Sequence, residues 1–432
     1  MKTIRDPVHN IIQFDKNEER LLLDLIDTLD FQRLRHIRQL GLTSFTFPGA
    51  EHTRFTHSLG VTHVMKRLLD KLTSLKGDNI QPFIHELKEH RLLALTAALL
   101  HDIGHGPFSH VLEKTTKIRH EKWTIAIILG DTEIHQVLEN YRQGFAQDVA
   151  DVIQRTHSSR ALVKLLSSQL DADRIDYLLR DSKMTGAGYG YFDLEWLIHV
   201  LRIGEVNGEI EVGLDKDKGL SIAEDFVMAR YYMYVNVYYH KTSRSAELLI
   251  DRIFERAIEL NKEGKLELPN DLYEILINGL NPKTIKNYLG LTDNTIWFYI
   301  YQWKDHQDPI LSDLCSRFVH RKLYKTVPID QMNEMALFEK VLALSKEKGI
   351  PHQYIYLKDE AIISSYEDDY ILRNESSSNK KVATEQIILF DKKGNYEELS
   401  NISDTIRQIR NKKIFIPRIF MPEEYIKMIL KK

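Results

Sequence analysis

The sequence predicts a mainly α protein: a helical body over residues 1–328, interrupted by one short hairpin, and a smaller α+β domain over residues 329–432. Three observations carry this. Apolar residues recur at spacings of three and four through long segments of the first three hundred or so residues. Glycine and proline fall between those segments rather than inside them, and after about Val327 the pattern changes to short alternating runs.

In chain order, helical periodicity covers Glu18–Leu40, and a loop over Gly41–Glu51 follows with Phe47-Pro48-Gly49 in it. Helices are then predicted over Thr56–Leu75, Arg91–Ile103 and Ala161–Asp181, and a long helical segment over Ile222–Ile258. Between the last two, Leu201–Asp215 alternates around Asn207-Gly208, the pattern of a β-hairpin inserted in a helical protein. The tail reads as an amphipathic helix, Met332–Lys348, and strands near Tyr354–Leu357, Gln386–Asp391 and Lys413–Pro417, with Ser376–Lys381 as a loop.

Composition excludes several function classes. With 59 basic against 62 acidic residues the net charge is −3, so no basic stripe or excess points to a nucleic-acid partner. The single cysteine, Cys315, can form neither an internal disulfide nor a cysteine-based zinc cluster, which fits a reducing compartment. Met1–Asn10 lacks the pattern of a leader, and the run Leu92–Leu100 is too short to span a bilayer; a cytoplasmic location without a membrane partner is expected. Of 18 histidines, 13 lie in the first 160 residues, a concentration that points to metal or acid–base chemistry.

His101-Asp102 ends an apolar helix and is followed at once by Gly104. Alone, such a pair reads as a hydrogen-bonded helix end. Two further segments change its meaning: Arg54-Phe55-Thr56-His57 upstream and Asp171-Ala172-Asp173-Arg174-Ile175-Asp176-Tyr177 downstream, both with polar residues inside apolar periodicity. Asp173, Tyr177 and Asp181 share a helix face, as do Arg230, Tyr234 and Tyr238, although the second group also reads as an aromatic core helix.

The order His57, His101-Asp102, Asp173 resembles the signature of the HD-domain metal-dependent phosphohydrolases. More closely, Phe31-Gln32-Arg33-Leu34-Arg35, Phe47-Pro48-Gly49-Ala50, His52 to Val61, His101 to His110 and Asp171 to Tyr177 resemble the HD-domain deoxynucleoside triphosphate triphosphohydrolases, over roughly residues 1 to 330. The resemblance implies an HD-domain helical core and a divalent metal (Mn, Fe or Mg) held by His57, His101, Asp102 and Asp173. It implies attack of water at the α-phosphorus, with release of deoxynucleoside and tripolyphosphate. Candidate acid–base groups are His105, His110 with Glu113, and His120 with Glu121 beside it; His110 with Glu113 is the first choice for the proton to the leaving group.

By the same resemblance Arg54, Arg174 and Arg230 meet the phosphates, Tyr177 packs under the deoxyribose, Asp181 holds the 3′ hydroxyl, Gln39 and Leu40 sit beside the sugar, and Tyr238 belongs to the substrate-binding set. Relatives of this type are tetramers switched on by a guanine nucleotide, so a homotetramer activated by GTP or dGTP is expected. Asp27, Gln32, Arg35, Arg321 and Lys325 match the first activator site, and Arg202, Lys216 and Lys241 an adjoining one, where Leu214 replaces an arginine. Another HD phosphohydrolase, a nucleotidase or phosphodiesterase, would keep the metal residues without needing Tyr177, Asp181 or Arg230. A catalytically inactive nucleotide sensor would bind without turnover.

Overall fold

The helix that carries His57, Arg54–Thr73, is the spine of the helical body. It packs against Arg91–Leu100 on one side and Ala172–Thr185 on another, which brings the three segments singled out from sequence onto one another. Leu59, Val61, Val64, Met65, Leu68 and Leu69 are at most 2% exposed, so burial on several faces rather than a single stripe holds it. Gly60 sits mid-helix at a cost of roughly 1 kcal/mol relative to alanine. The reason is close approach: a Cβ there would collide with Asp176 Oδ1 and Arg180 Nη2. The computed structural model describes residues 1–108, 110–206, 208–327, 334–364, 366, 386–410 and 413–430.

Three predicted helices are broken. Glu18–Leu40 divides into Arg20–Ile26, Leu29–Gln32 and a 3₁₀ turn Arg33–His36, because the Thr28 side chain caps a new start by accepting from Phe31 N at 3.2 Å. Ala161–Asp181 divides into Arg160–Leu166 and Ala172–Thr185, the second capped by Asp171, which accepts from Arg174 N at 2.7 Å. Ile222–Ile258 divides into Lys216–Met233, a π-helical turn Tyr234–Tyr238, and Lys241–Lys262 capped by His240. Apolar periodicity runs through each break, and the breaks come from caps.

An unpredicted N-terminal hairpin pairs β1 (Lys2–Asp6) with β2 (Asn10–Phe14). The predicted hairpin is present as β3 (Leu201–Val206) and β4 (Glu209–Asp215), with Leu201 opposite Leu214. Later strands are β5 (Lys325–Val327), β6 (Leu357–Ser364), β7 (Ile388–Phe390), β8 (Tyr396–Glu398) and β9 (Lys413–Met421). The hairpin is half of a four-stranded sheet, β3-β4-β7-β8, and β5-β9-β6 form another. Thus the tail shares its sheets with the helical body, and Leu357, Tyr366, Leu389 and Phe420 join the main apolar core. Of the strand expected at Tyr354–Leu357, Tyr354 closes a 3₁₀ turn and only Leu357 is in a strand, the first residue of β6, while the expected loop Ser376–Lys381 lies outside the described residues. No helix of the described residues is long and apolar enough to cross a membrane. The molecule is mainly α, as the sequence predicts.

Candidate active site

His57, His101, Asp102 and Asp173 converge where the three packed helices meet. His57 Nε2 lies 3.0 Å from Asp173 Oδ1 and 3.6 Å from Asp102 Oδ2. His101 Nε2 lies 3.4 Å from Asp102 Oδ1 and 3.5 Å from Asp173 Oδ1. The other nitrogen of each ring is engaged: His57 Nδ1 donates to Asp176 Oδ2 at 2.8 Å, and His101 Nδ1 to the Ala98 carbonyl at 2.8 Å. Each Nε2 therefore faces the two carboxylates.

The electrostatics of this cluster call for a cation. Burial opposes charge on His57, but Asp173 and Asp176 outweigh it and push the imidazole up to about 10. Burial likewise opposes the Asp102 carboxylate, yet His101, Arg54 and His105 hold it well below the usual range. His101 Nε2 is buried without a hydrogen-bond partner. Two imidazoles and two carboxylates of this polarity suit a divalent ion of the Mn, Fe or Mg type, so the donor set fits the expected metal.

Beside it, His105 Nε2 lies 3.4 Å from Asp102 Oδ1, and its ring stacks on His120 with centroids 3.7 Å apart. Burial, with the Arg54 and His120 charges, pushes His105 well below its ordinary value, so it is a neutral imidazole. His120 Nδ1 is 2.6 Å from Glu113 Oε1, whereas Glu121 turns to Arg119 and stays 3.7 Å away. The orienting carboxylate of His120 is thus Glu113 rather than its sequence neighbour, because the preceding helix, His110–Thr116, carries residue 113 to the ring. The His110 side chain lies outside the described residues.

A cavity of about 550 Å³ opens on this group. Gln39, Leu40, Arg54, Tyr177, Asp181 and Tyr238 line it, together with Asp102, Asp173, His105 and His120. Asp181 is held from both sides: Oδ1 is 2.7 Å from His52 Nε2 and Oδ2 accepts from the Tyr238 hydroxyl at 2.8 Å. Burial and the adjacent Asp181 keep the Tyr238 phenol protonated, as a donor. Tyr238 belongs to the π-helical turn, a device that re-aims side chains at sites. Arg54 Nη1 donates to Asp102 Oδ2 at 2.5 Å and Nη2 to the Gln39 carbonyl.

Two expected phosphate contacts stand apart from that lining. Arg230 Nη1 donates to Gln169 Oε1 at 2.5 Å, and Arg174 lies 3.8 Å from Asp171 Oδ2. Both are drawn to side chains of the segment linking helices Arg160–Leu166 and Ala172–Thr185. Conversely, Tyr234, which shares a helix face with Tyr238, lines the cavity, and so do Tyr239, Arg244 and Glu247, which the sequence reading does not assign to it. For the last two, their i,i+3 spacing just after the aromatic run is the only sequence signal.

Behind the metal set lies a buried network. Asp176, 0% exposed, accepts from His57, from Arg180 Nε at 2.8 Å and Nη2 at 3.0 Å, and faces His9 Nε2 at 2.6 Å. Arg180 Nη1 reaches Asp6 Oδ2 at 2.7 Å. The N-terminal hairpin is thereby tied to His57 through one carboxylate.

Of the expected activator residues, Asp27 is exposed, Gln32 donates to the Ile26 carbonyl, and Arg35 donates to Gln32 Oε1 and stacks on Phe55. Arg321 holds the Phe45 carbonyl, while Lys241 and Lys325 are exposed. Arg202 is paired with Asp215 and Lys216 with Glu397, and Leu214 is buried opposite Leu389.

Residues 54–181 match the HD domain and residues 192–275 the HD associated region. Over 427 residues the chain is 40% identical to the uncharacterized protein YwfO of Bacillus subtilis, covering 98% of this chain and 93% of that one. It is 28% identical over 368 residues to the deoxynucleoside triphosphate triphosphohydrolase SAMHD1 of Homo sapiens, covering 76% of this chain and 55% of that protein. The chain therefore spans about half the length of the human relative. A crystal structure of a phosphohydrolase from Bacteroides thetaiotaomicron superimposes with a TM-score of 0.79 at 29% identity, covering 98% of this chain and 99% of the other.

Proposed function

This chain belongs to the HD-domain family and carries the HD associated region, and from that premise we propose that it hydrolyses deoxynucleoside triphosphates to deoxynucleoside and tripolyphosphate. The observation that carries the choice among HD phosphohydrolases is Asp181, clamped by His52 and Tyr238 in the cavity shared with Asp102 and Asp173. A carboxylate fixed in this way can accept from a sugar 3′ hydroxyl, with the Tyr177 ring alongside, edge to face with Tyr238 at 6.2 Å.

A divalent ion bound by His57, His101, Asp102 and Asp173 would polarise a phosphoryl oxygen and acidify a water. Arg54, at the edge of the same carboxylate, adds positive charge where phosphate charge gathers. Glu113 engages His120 Nδ1 and leaves Nε2 as the atom for proton transfer to the departing 5′ oxygen, with neutral His105 stacked against it. Arg174 and Arg230 would reach the outer phosphates by turning from Asp171 and Gln169.

The proposal extends to activation by GTP or dGTP in a homotetramer. Asp27 supports it, being an exposed carboxylate able to accept from guanine N1 and N2, with Gln32 and Arg35 close in sequence. A nucleotide at the adjoining site would have to displace Glu397 from Lys216 and Asp215 from Arg202.

The test is to incubate Mn-loaded protein with each dNTP alone and then with GTP or dGTP, and to identify the products by chromatography and mass spectrometry. Deoxynucleoside plus intact tripolyphosphate, increased by the guanine nucleotide, is the expected result. Cleavage of monoesters or cyclic nucleotides only would refute it, and light scattering reads the assembly.

A further inference from the structure

The C-terminal sheet reaches a wall of the cavity that carries none of the metal-set residues. That wall includes Tyr239, Arg244 and Glu247. Arg244 donates from Nε to Asp359 Oδ2 at 3.2 Å and from Nη2 to Asp359 Oδ1 at 2.6 Å, and its Nη1 donates to Glu247. Asp359 is on β6 and only 5% exposed. Its register partner on β9 is Arg418, whose Nη1 donates to the Tyr239 carbonyl at 2.5 Å. One cross-strand pair therefore grips both ends of the segment Tyr239–Arg244, where the π-helical turn bearing Tyr238 gives way to helix Lys241–Lys262.

The chemistry of that wall differs from a phosphate site. A guanidinium flanked by two carboxylates offers no surplus positive charge to a polyphosphate. It does offer directed hydrogen bonds: of its five N–H groups, three contacts use three, and Glu247 adds a nearby acceptor. A donor beside an acceptor matches the edge of a heterocyclic base. Because phosphates and deoxyribose are common to all dNTPs, discrimination among them has to arise on a wall that meets the base.

We propose that Arg244 and Glu247 read the nucleobase edge, and that Asp359 and Arg418 are positioning residues through which the C-terminal sheet sets base preference. This rests on the dNTP reading above. The experiment measures KM and kcat for the four dNTPs with metal-loaded wild type, Arg244→Gln, Asp359→Asn and Asp359→Glu, with inorganic tripolyphosphate as a base-free competitor. In Arg244→Gln and Asp359→Asn the ratio of kcat/KM between the best and worst dNTP should shift by roughly tenfold, through KM, while tripolyphosphate inhibits as before. Asp359→Glu, which keeps the charge, should recover part of the wild-type ranking.

An equal loss for all four dNTPs, or an unchanged ranking, overturns the inference. Should a thermal melt show Asp359→Asn unfolded, Arg244→Lys carries the same test, since it keeps an ion pair with Asp359 and loses the planar fork. Absence of dNTP turnover in the wild type is a different result, because it overturns the activity and this inference with it.

Discussion

Asp176 Oδ2 lies 2.8 Å from His57 Nδ1 while Asp173 Oδ1 lies 3.0 Å from His57 Nε2, so one imidazole is clamped between two carboxylates a helical turn apart. The two acids differ in surroundings. Asp173 lines the cavity, whereas Asp176 is fully buried among His9, His57 and Arg180. This division sets which nitrogen is free for a metal.

Asp176→Asn should weaken binding of Mn by about 10- to 100-fold, the usual cost of losing an outer carboxylate partner of a ligating histidine. Competition against a chelator measures it. An affinity equal to wild type would show that Asp176 serves packing alone.

Gly60→Ala should destabilise the protein despite alanine's higher helix propensity. Its Cβ meets Asp176 Oδ1 and Arg180 Nη2, both buried and mutually bonded, so they have little room to yield. A loss of about 1–3 kcal/mol is expected from overpacking, read by urea unfolding. A gain in stability would mean the network is loose.

His63 should make stability depend on pH. Burial, with His9 and Arg67 nearby, pushes its imidazole down to about 4, against attraction from Asp176 and Asp6. An unfolded chain binds a proton there at higher pH than the folded one does, so this stability is present above about pH 6.5 and is lost as pH falls toward 4. Its size is at most ~3 kcal/mol and is reduced by partial solvent access. Melting curves of His63→Gln across that window should be flatter than wild type, and parallel curves would dismiss the effect.

Tyr238→Phe removes one of the two donors to buried Asp181. For a hydrogen bond to a charged group the loss is about 1.5–3 kcal/mol, or roughly 10- to 100-fold in kcat/KM for dNTPs. Steady-state kinetics decide it, and an unchanged kcat/KM would place the sugar elsewhere.

The metal candidates were legible through the resemblance carried by the order His57, His101-Asp102, Asp173, with the segments around His57 and Asp173 each placing polar residues inside an apolar pattern. The spacing Asp173, Tyr177, Asp181 survives in the structure, with Asp173 and Asp181 on one cavity. Glu113 as the partner of His120 was not legible, since Glu121 is the nearer acid in sequence and only the packing of helices His110–Thr116 and His120–Leu129 chooses between them. Asp176 stood in the quoted motif, but its role depends on His9, which is 167 residues away.

The sequence by itself determined the mainly α class and the hairpin of Leu201–Asp215, because periodicity and turn chemistry are local properties of the chain, and it offered the His and Asp set as metal candidates through the resemblance their order carries. Only the tertiary structure decided where the long helices break, which arginines face the cavity, and that strands from the tail brace the lining residues Tyr239 and Arg244 from behind. Those outcomes depend on which distant cap, carbonyl or carboxylate satisfies each buried polar group, as Asp359 does for Arg244 across 115 residues.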